Sequence, residues 1–424
     1  METLAFVCIA LFILLFGLVS GRIQRTIVTA PMFFVVAGVL LGPLALGIVA
    51  ADPEAEFIRT LAELTLVLVL FTDASRIELR LLRREHNLPL RLLAIGLPLT
   101  IVLGGLIAAA LFDNLGFWAA LIVGAILAPT DAALGQAVVS SPAVPVRIRQ
   151  ALNVESGLND GIVVPILTLL IALGSTAADL APLGFWIRFA ALQIILGPVI
   201  GIAVGYIGGQ LVQRTSENGW MNESFKQLAS LALALGAFAA AEAVGGNGFI
   251  AAFCAGLTLG NTSRAICGSL YEFAEAEGQL LTLLIFLALG ATMTPVLLDG
   301  LSLNVLIYAV LSLTVVRALP VALSIVGLRL HWPTYLFLGW FGPRGVASVL
   351  FGLLILEQSA LAGREDIFAI VMTTVLISIF AHGLTAVPGA TWYAAHSERM
   401  RDQPNITEHL PVSEMPLRIS KTQG

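Results

Sequence analysis

Ala128-Pro129-Thr130-Asp131 sets a helix breaker and an acid together in the middle of the apolar run 117–139, and Phe341-Gly342-Pro343-Arg344-Gly345 sets three breakers around an arginine in the middle of 333–356. Proline removes a backbone donor and collides with the preceding turn, and glycine loosens the chain, so both segments should be interrupted helices. Interrupted backbone at bilayer depth is tolerated only where it is buried in protein or lines a cavity. A pair of broken helices in corresponding positions of two halves points to the binding site of an inverted-repeat transporter.

The solvent of these runs follows from composition. The 424 residues are 58% hydrophobic and 12% charged, with a mean hydropathy of +0.95, whereas a soluble domain carries about 25% charged residues. The chain reads as an all-α polytopic membrane protein. Apolar runs long enough to span number thirteen, at about 3–19, 27–48, 57–75, 89–112, 117–139, 150–173, 183–213, 224–242, 247–262, 276–297, 301–328, 333–356 and 366–390. The odd connections hold the basic residues: Arg22 and Arg25; Arg76, Arg80, Arg83, Arg84 and Arg91; Arg147 and Arg149; Arg214 and Lys226; Arg264; Arg329. The even ones carry Asp52, Glu54, Glu56, Asp113, Asp179, Glu242 and Asp299, with Arg364 beside Glu365 and Asp366. By the positive-inside rule the N-terminus lies outside and the C-terminus in the cytoplasm. The start, Met1-Glu2-Thr3, lacks the basic region of a secretory signal, so the first run should remain as a span. Residues 1–393 form the membrane domain, and 394–424, with Pro404, Pro411 and Pro416, read as a short cytoplasmic tail, loose or partly ordered.

In this topology the fifth run crosses inward and the twelfth outward, as inverted repeats require. If the two breaks meet antiparallel, Asp131 can offset the positive N-terminal ends of the half-helices and Arg344 the negative C-terminal ends. Three further charges lie inside apolar runs: Glu155, Asp160 and Arg317. Arg317 is too deep to reach water and needs an acid. Glu155 and Asp160 are five residues apart and project about 140° from one another on a helix, so they need not share a partner. Glu155 is assigned to Arg317 as a structural ion pair, although Arg344 is the alternative partner.

No basic partner is then assigned to Asp160. A buried carboxylate holds either a proton or a cation, since desolvation favours the neutral acid and a bound cation the ionised form. If both neutral states cross the membrane, one cation is exchanged for one proton. Asn159 can ligate or hydrogen-bond but cannot titrate, so the exchange should be electroneutral.

The segment Asn153-Val154-Glu155-Ser156-Gly157-Leu158-Asn159-Asp160-Gly161 resembles the Asn-Asp helix of monovalent cation/proton antiporters of the NhaP type, relatives of the animal sodium/proton exchangers. Pro129-Thr130-Asp131, Gly342-Pro343-Arg344-Gly345 and Gly245-Gly246-Asn247-Gly248-Phe249-Ile250-Ala251-Ala252-Phe253 are similar to further segments of that family, in the same order, between Leu64 and about Leu384. The resemblance implies an NhaA-like fold with a core transport bundle including 89–173 and 301–390, separate dimerisation helices, and an elevator-like motion. It implies sodium ligands at Asp160, Asp131, the Thr130 carbonyl and Ser156, and a contribution from Asp73, although the family's acid there is followed by glycines rather than by Ala74 and Ser75. It also implies a homodimer in the cell membrane serving pH homeostasis, with lipid, a monovalent cation and the proton as partners and neither cofactor nor nucleic acid. Sodium or lithium is the first expectation for the cation, and potassium the alternative.

Other residues suggest packing. Gly197, Gly201, Gly205 and Gly209 recur every four residues, as do Gly248, Ala252, Gly256 and Gly260, which marks close helix contacts. Cys8, Cys254 and Cys267 are isolated small apolar residues, His382 reads as a packed histidine, and His86, His331, His396 and His409 form no ligand cluster. Glu272, Glu275 and Glu277 open the tenth run, where acids favour a helix N-terminus and could attract ions. An intramembrane aspartyl protease would require Tyr-Asp and Gly-x-Gly-Asp, and neither string occurs. A cation channel needs no titratable acid at its centre.

Overall fold

The breakers act where the sequence puts them. In the computed structural model, which describes residues 2–23, 26–49, 56–84, 87–131, 134–139, 141–175, 183–263, 267–293, 300–400 and 407–409, α7 (Phe117–Ile126) and α8 (Gln136–Val139) flank the first break. The second separates α16 (Trp332–Trp340) from α17 (Val346–Leu356). The other apolar runs hold α1 (Glu2–Ile23), α2 (Ala30–Leu41), α3 (Glu56–Ser75), α5 (Asn87–Arg91), α6 (Leu97–Leu111), α9 (Val146–Gly174), α10 (Leu183–Glu217), α11 (Glu223–Ala243), α12 (Gly248–Thr262), α13 (Cys267–Ala288), α14 (Leu303–Leu313), α15 (Val315–Ser324) and α18 (Arg364–Arg399), while the short, basic α4 (Leu79–Arg84) lies in the connection between the third and fourth runs. Single π turns at Leu92–Gly96 and Leu289–Met293 follow α5 and α13. Among the described residues there is no strand, only an isolated bridge between Ser175 and Leu361.

Local chemistry explains several starts. Side-chain oxygens of Thr29, Asn222, Asn247 and Ser302 accept from the backbone N–H groups of Met32, Phe225, Ile250 and Val305, closing the first turns of α2, α11, α12 and α14. Among the described residues, seven helical stretches are long and apolar enough to cross a membrane, two of them, Asn87–Leu111 and Leu303–Ser324, made of consecutive helices. Their outward faces are greasy rather than polar, with Phe6 72%, Leu18 74% and Val199 57% exposed, as lipid rather than water demands. The inner faces carry the polar groups: α9 buries Asn153, Glu155, Ser156, Asn159 and Asp160.

The glycine rows do bring helices into contact. A Cβ on Gly201 or Gly205 of α10 would run into the Ala251 or Ala255 carbonyl of α12, and one on Gly256 or Gly260 would meet Phe71 or Ser75 of α3, so α12 is held between α10 and α3. Gly161 of α9 lies under the Phe253 ring of α12 in the same manner. One close contact has no such row behind it: Gly38 of α2 and Gly290 of the second π turn press on each other's backbone.

Two expectations need correction. The run 301–328 is not one helix, because Thr314 (φ −113°, ψ −86°) separates α14 from α15 just before Arg317. The last helix continues past 390 to Arg399. Its added turns bury Tyr393 and Ser397, with Tyr393 stacked on Phe337 at a centroid distance of 4.1 Å. Part of the tail is ordered. Glu408 is 1% exposed, and its Oε1 accepts from the His331 backbone N–H at 2.6 Å and from Thr334 Oγ1 at 2.9 Å. Thr407 bonds Leu328 O and accepts from Arg147, and His409 contacts Ser397. The other tail residues, His86 and Arg264 lie outside the described residues, as do the side chains of Cys267, Glu272, Glu275 and Glu277.

The tail contact carries a prediction. Glu408→Ala strips two buried donors of their acceptor, which costs about 1–3 kcal/mol, so the variant should unfold at lower temperature in detergent. An unchanged melting temperature would mean that this segment does not dock.

Candidate functional site

The two breaks cross at backbone contact. Asp131 N–H donates to Pro343 O at 2.8 Å, and Asp131 Oδ2 accepts from Val346 N–H at 2.9 Å. Asp131 therefore lies at the N-terminus of α17, where an anion is stabilised by the unpaired N–H groups and the helix dipole. Arg344 does the reverse. It is fully buried, and its Nη1 donates to Ala128 O at 2.7 Å and Pro129 O at 3.1 Å, the carbonyls just beyond the C-terminal end of α7. Ser348 Oγ donates to Ile126 O at 2.8 Å.

Arg317 serves the other C-terminal end. It makes a two-pronged pair with Glu155, Nη1 to Oε1 at 2.5 Å and Nη2 to Oε2 at 2.9 Å, and Nη2 also reaches Leu338 O of α16 at 3.3 Å. The C-terminal ends of the two half-helices are thus offset by different arginines, Arg344 at α7 and Arg317 at α16, rather than by Arg344 alone. Gly342 passes directly over Arg317, since a Cβ there would overlap Nε.

On the neighbouring face of α9 the first break meets two polar side chains, those of Ser156 and Asn159. Thr130 Oγ1 lies 2.9 Å from Ser156 Oγ and accepts from Asn159 Nδ2 at 2.8 Å. Thr130 and Ser156 are 3% and 8% exposed and Asn159 1%. Asn159 Oδ1 is buried with no hydrogen-bond partner, an oxygen whose desolvation costs about 1–3 kcal/mol unless something electropositive approaches it. Asp160 follows in the same turn and is itself buried. Asp73 on α3 is half-buried, and its backbone carbonyl lies 3.9 Å from the Cβ position of Gly157, one residue beyond Ser156. Among the described residues no three of His, Cys, Asp and Glu gather to hold a resident metal ion.

Four ionisable side chains at the crossing are engaged by the contacts above, the acids Asp131 and Glu155 and the bases Arg317 and Arg344. Asp160 is a further buried acid, on α9 in the same turn as Ser156 and Asn159, whose side chains contact Thr130.

The family model described as sodium/hydrogen exchanger, transmembrane, matches residues 8–392. The chain belongs to the sodium/hydrogen exchanger family. It is a multi-pass membrane protein. Relatives in this family include the potassium/proton antiporter NhaP of Alkalimonas amylolytica, 28% identical over 88% of this chain and 64% of that protein. Another is the sodium/proton antiporter ApNhaP of Aphanothece halophytica, 28% identical over 84% of this chain and 67% of that protein. The chain therefore spans about two thirds of the length of these relatives. The sodium proton antiporter MjNhaP1 of Methanocaldococcus jannaschii shares its fold, with a TM-score of 0.78 at 20% identity over 93% of this chain and 98% of that one.

Gly345 was quoted in the sequence only as a helix breaker, and its position adds a constraint. A Cβ there would overlap the Asp131 carboxylate. Gly345→Ala must push Asp131 off the N-terminus of α17, at a cost typical of overpacking, about 1–3 kcal/mol. The expected result is a destabilised protein with weakened cation-dependent activity, read by thermal unfolding and by liposome flux. Full activity at unchanged stability would show that Asp131 tolerates displacement. Ser378 and His382, which also bind the second break, gave no signal in the sequence beyond ordinary helix packing.

Proposed function

We propose that the protein is a secondary transporter that exchanges one monovalent cation for one proton, with both ions competing for Asp160. The observation that carries this reading is the contact of Thr130, Ser156 and Asn159 next to the buried acid Asp160, beside the crossed breaks. The cation would be held by the Asp160 carboxylate with oxygens of Thr130, Ser156 and Asn159, and with Asp131 and Asp73 nearby. Protonated Asp160 and cation-bound Asp160 are both neutral sites, so either can cross a low-dielectric barrier. The ionised empty site cannot, which couples the two flows. One acid gives one cation per proton and no net charge movement.

The architecture that goes with this function is an NhaA-like one: thirteen spans in inverted repeats, N-terminus outside and C-terminus cytoplasmic, with a core bundle including 89–173 and 301–390 moving against dimerisation helices in a homodimer. The alternation of basic and acidic connections supports the orientation, and the likeness to MjNhaP1 supports the fold. Sodium or lithium is the first reading for the cation. Potassium is the second, favoured by the relative of Alkalimonas amylolytica named as a potassium/proton antiporter.

The test uses purified protein in liposomes with an acidic lumen, to which sodium, lithium or potassium is added outside. The expected result is a cation-dependent collapse of the pH gradient that is unchanged when the membrane potential is clamped. A flux that follows the potential would defeat the one-for-one exchange, and the order of half-saturating concentrations ranks the cations.

A further inference from the structure

Ser378 and His382 lie one turn apart on α18, and both reach into the break between α16 and α17. The Arg344 backbone N–H donates to Ser378 Oγ at 2.7 Å, Ser378 Oγ lies 3.1 Å from His382 Nδ1, and His382 Nε2 lies 3.0 Å from Trp340 O. Both side chains are buried. The second break leaves an N–H just after Pro343 and the last carbonyl of α16 without helical partners. A single turn of α18 holds both.

The directions of these bonds place the protons. A carbonyl can only accept, so His382 Nε2 must carry hydrogen to bond Trp340 O. A peptide N–H can only donate, so Ser378 Oγ accepts from Arg344, and opposite a neutral ring that gives its one hydrogen to Trp340 O the hydroxyl donates to His382 Nδ1. Nδ1 also lies 3.0 Å from Ser378 O. An imidazolium would donate to both carbonyls, but among the described residues the ring contacts only Ser378, Trp340 and their carbonyls, so it would be a buried cation with no acid against it. The ring plane is fixed from the side. Trp340 packs on the imidazole at a centroid distance of 5.0 Å, and its Nε1 donates to Thr385 Oγ1 at 2.9 Å.

We propose that Ser378 and a neutral, Nε2-protonated His382 are positioning residues that hold residues 340–344 in one register and, through Arg344 on Ala128 O and Pro129 O, set the Thr130 end of the cation site. Neither residue touches the ion. Their effect passes through the backbone of Arg344, whose guanidinium is the direct link between the second break and the first. The consequence for transport rests on the proposed function, and the protonation of the ring does not.

Two readouts keep these apart. In protein with ¹⁵N-labelled histidine, the signal lost in His382→Gln identifies the ring; a protonated Nε2 and an unprotonated Nδ1 are expected, and a protonated Nδ1 overturns the proposal. In liposomes, Ser378→Ala and His382→Leu each remove a buried hydrogen bond and should raise the half-saturating cation concentration about 5–10-fold, with the maximal rate much less affected. His382→Gln, whose amide can donate to the same carbonyl, should return that concentration to within about twofold of the parent. A folded Ser378→Ala protein with unchanged half-saturation, or His382→Gln as impaired as His382→Leu, would also overturn it. If His382→Leu does not fold, Ser378→Ala and the ring signal of the parent protein decide. A parent protein that moves no ions defeats the proposed function, and the ring signal then decides this proposal alone.

Discussion

Asp160→Asn is expected to fold, reach the membrane and lose cation-dependent proton movement. The amide matches the protonated carboxyl in size and can still hydrogen-bond, so packing around the buried position is preserved. What disappears is the carboxylate that would balance the cation. A cation entering the variant would meet no negative charge at position 160, and a buried charge left without its counter-charge costs about 3–5 kcal/mol. Binding should weaken by at least about a hundredfold on that scale, and no proton remains to be released. The measurement is decay of a pH gradient in liposomes beside thermal unfolding of the same preparation. Residual exchange above a few per cent of the parent, in protein of unchanged stability, would mean that another group carries the proton. The parent protein offers a companion check: as pH rises, fewer protons compete for Asp160, so the half-saturating cation concentration should fall.

The parts of this site legible in the sequence are those whose chemistry is expensive in lipid. Pro129 and Pro343 in apolar runs announce the breaks. Asp131 and Arg344 announce themselves as ionisable groups at depth, and their engagement with helix ends follows from dipole signs. Arg317 demands an acid, and elimination among the buried acids leads to Glu155, the residue it contacts. Neutral polar residues are another matter. Thr130, Ser156 and Asn159 touch across 26 and 29 positions of chain, a distance that no helical period spans, and only the family resemblance drew Thr130 and Ser156 together as ligands. Ser378 and His382 look like residues of any long helix, because a hydroxyl or imidazole costs little in lipid once it finds a carbonyl. The end of α18 escaped for a related reason. Tyr393 and Ser397 are covered by chain from elsewhere, including the tail, and hydropathy along one helix does not register such cover. Isolated glycines such as Gly38 and Gly290 carry no period, so their contact was not readable either.

Arg317→Ala is expected to cause the largest loss of stability of any single change considered for this chain. Arg317 and Glu155 are each 3% exposed, and truncating the arginine strands a carboxylate in the interior and removes a donor from Leu338 O. Breaking a buried pair in this way costs about 3–5 kcal/mol, a large share of the roughly 5–15 kcal/mol that holds a typical domain folded. Arg317→Lys should recover only part of the loss, since an ammonium cannot form both prongs of the contact and reach Leu338 O as well. The informative variant removes both charges. Replacing Glu155 with leucine and Arg317 with methionine leaves no stranded charge, and such exchanges are often neutral or stabilising, so the double variant should unfold near the temperature of the parent. It also leaves the net charge of the interior unchanged, because one acid and one base have gone together and Asp160 is untouched. Exchange should therefore persist in the double variant, with altered rate but the same insensitivity to membrane potential. A double variant that is stable and cannot transport would show instead that Glu155 or Arg317 takes part in moving the ion, and the assignment of the exchange to Asp160 alone would have to be abandoned.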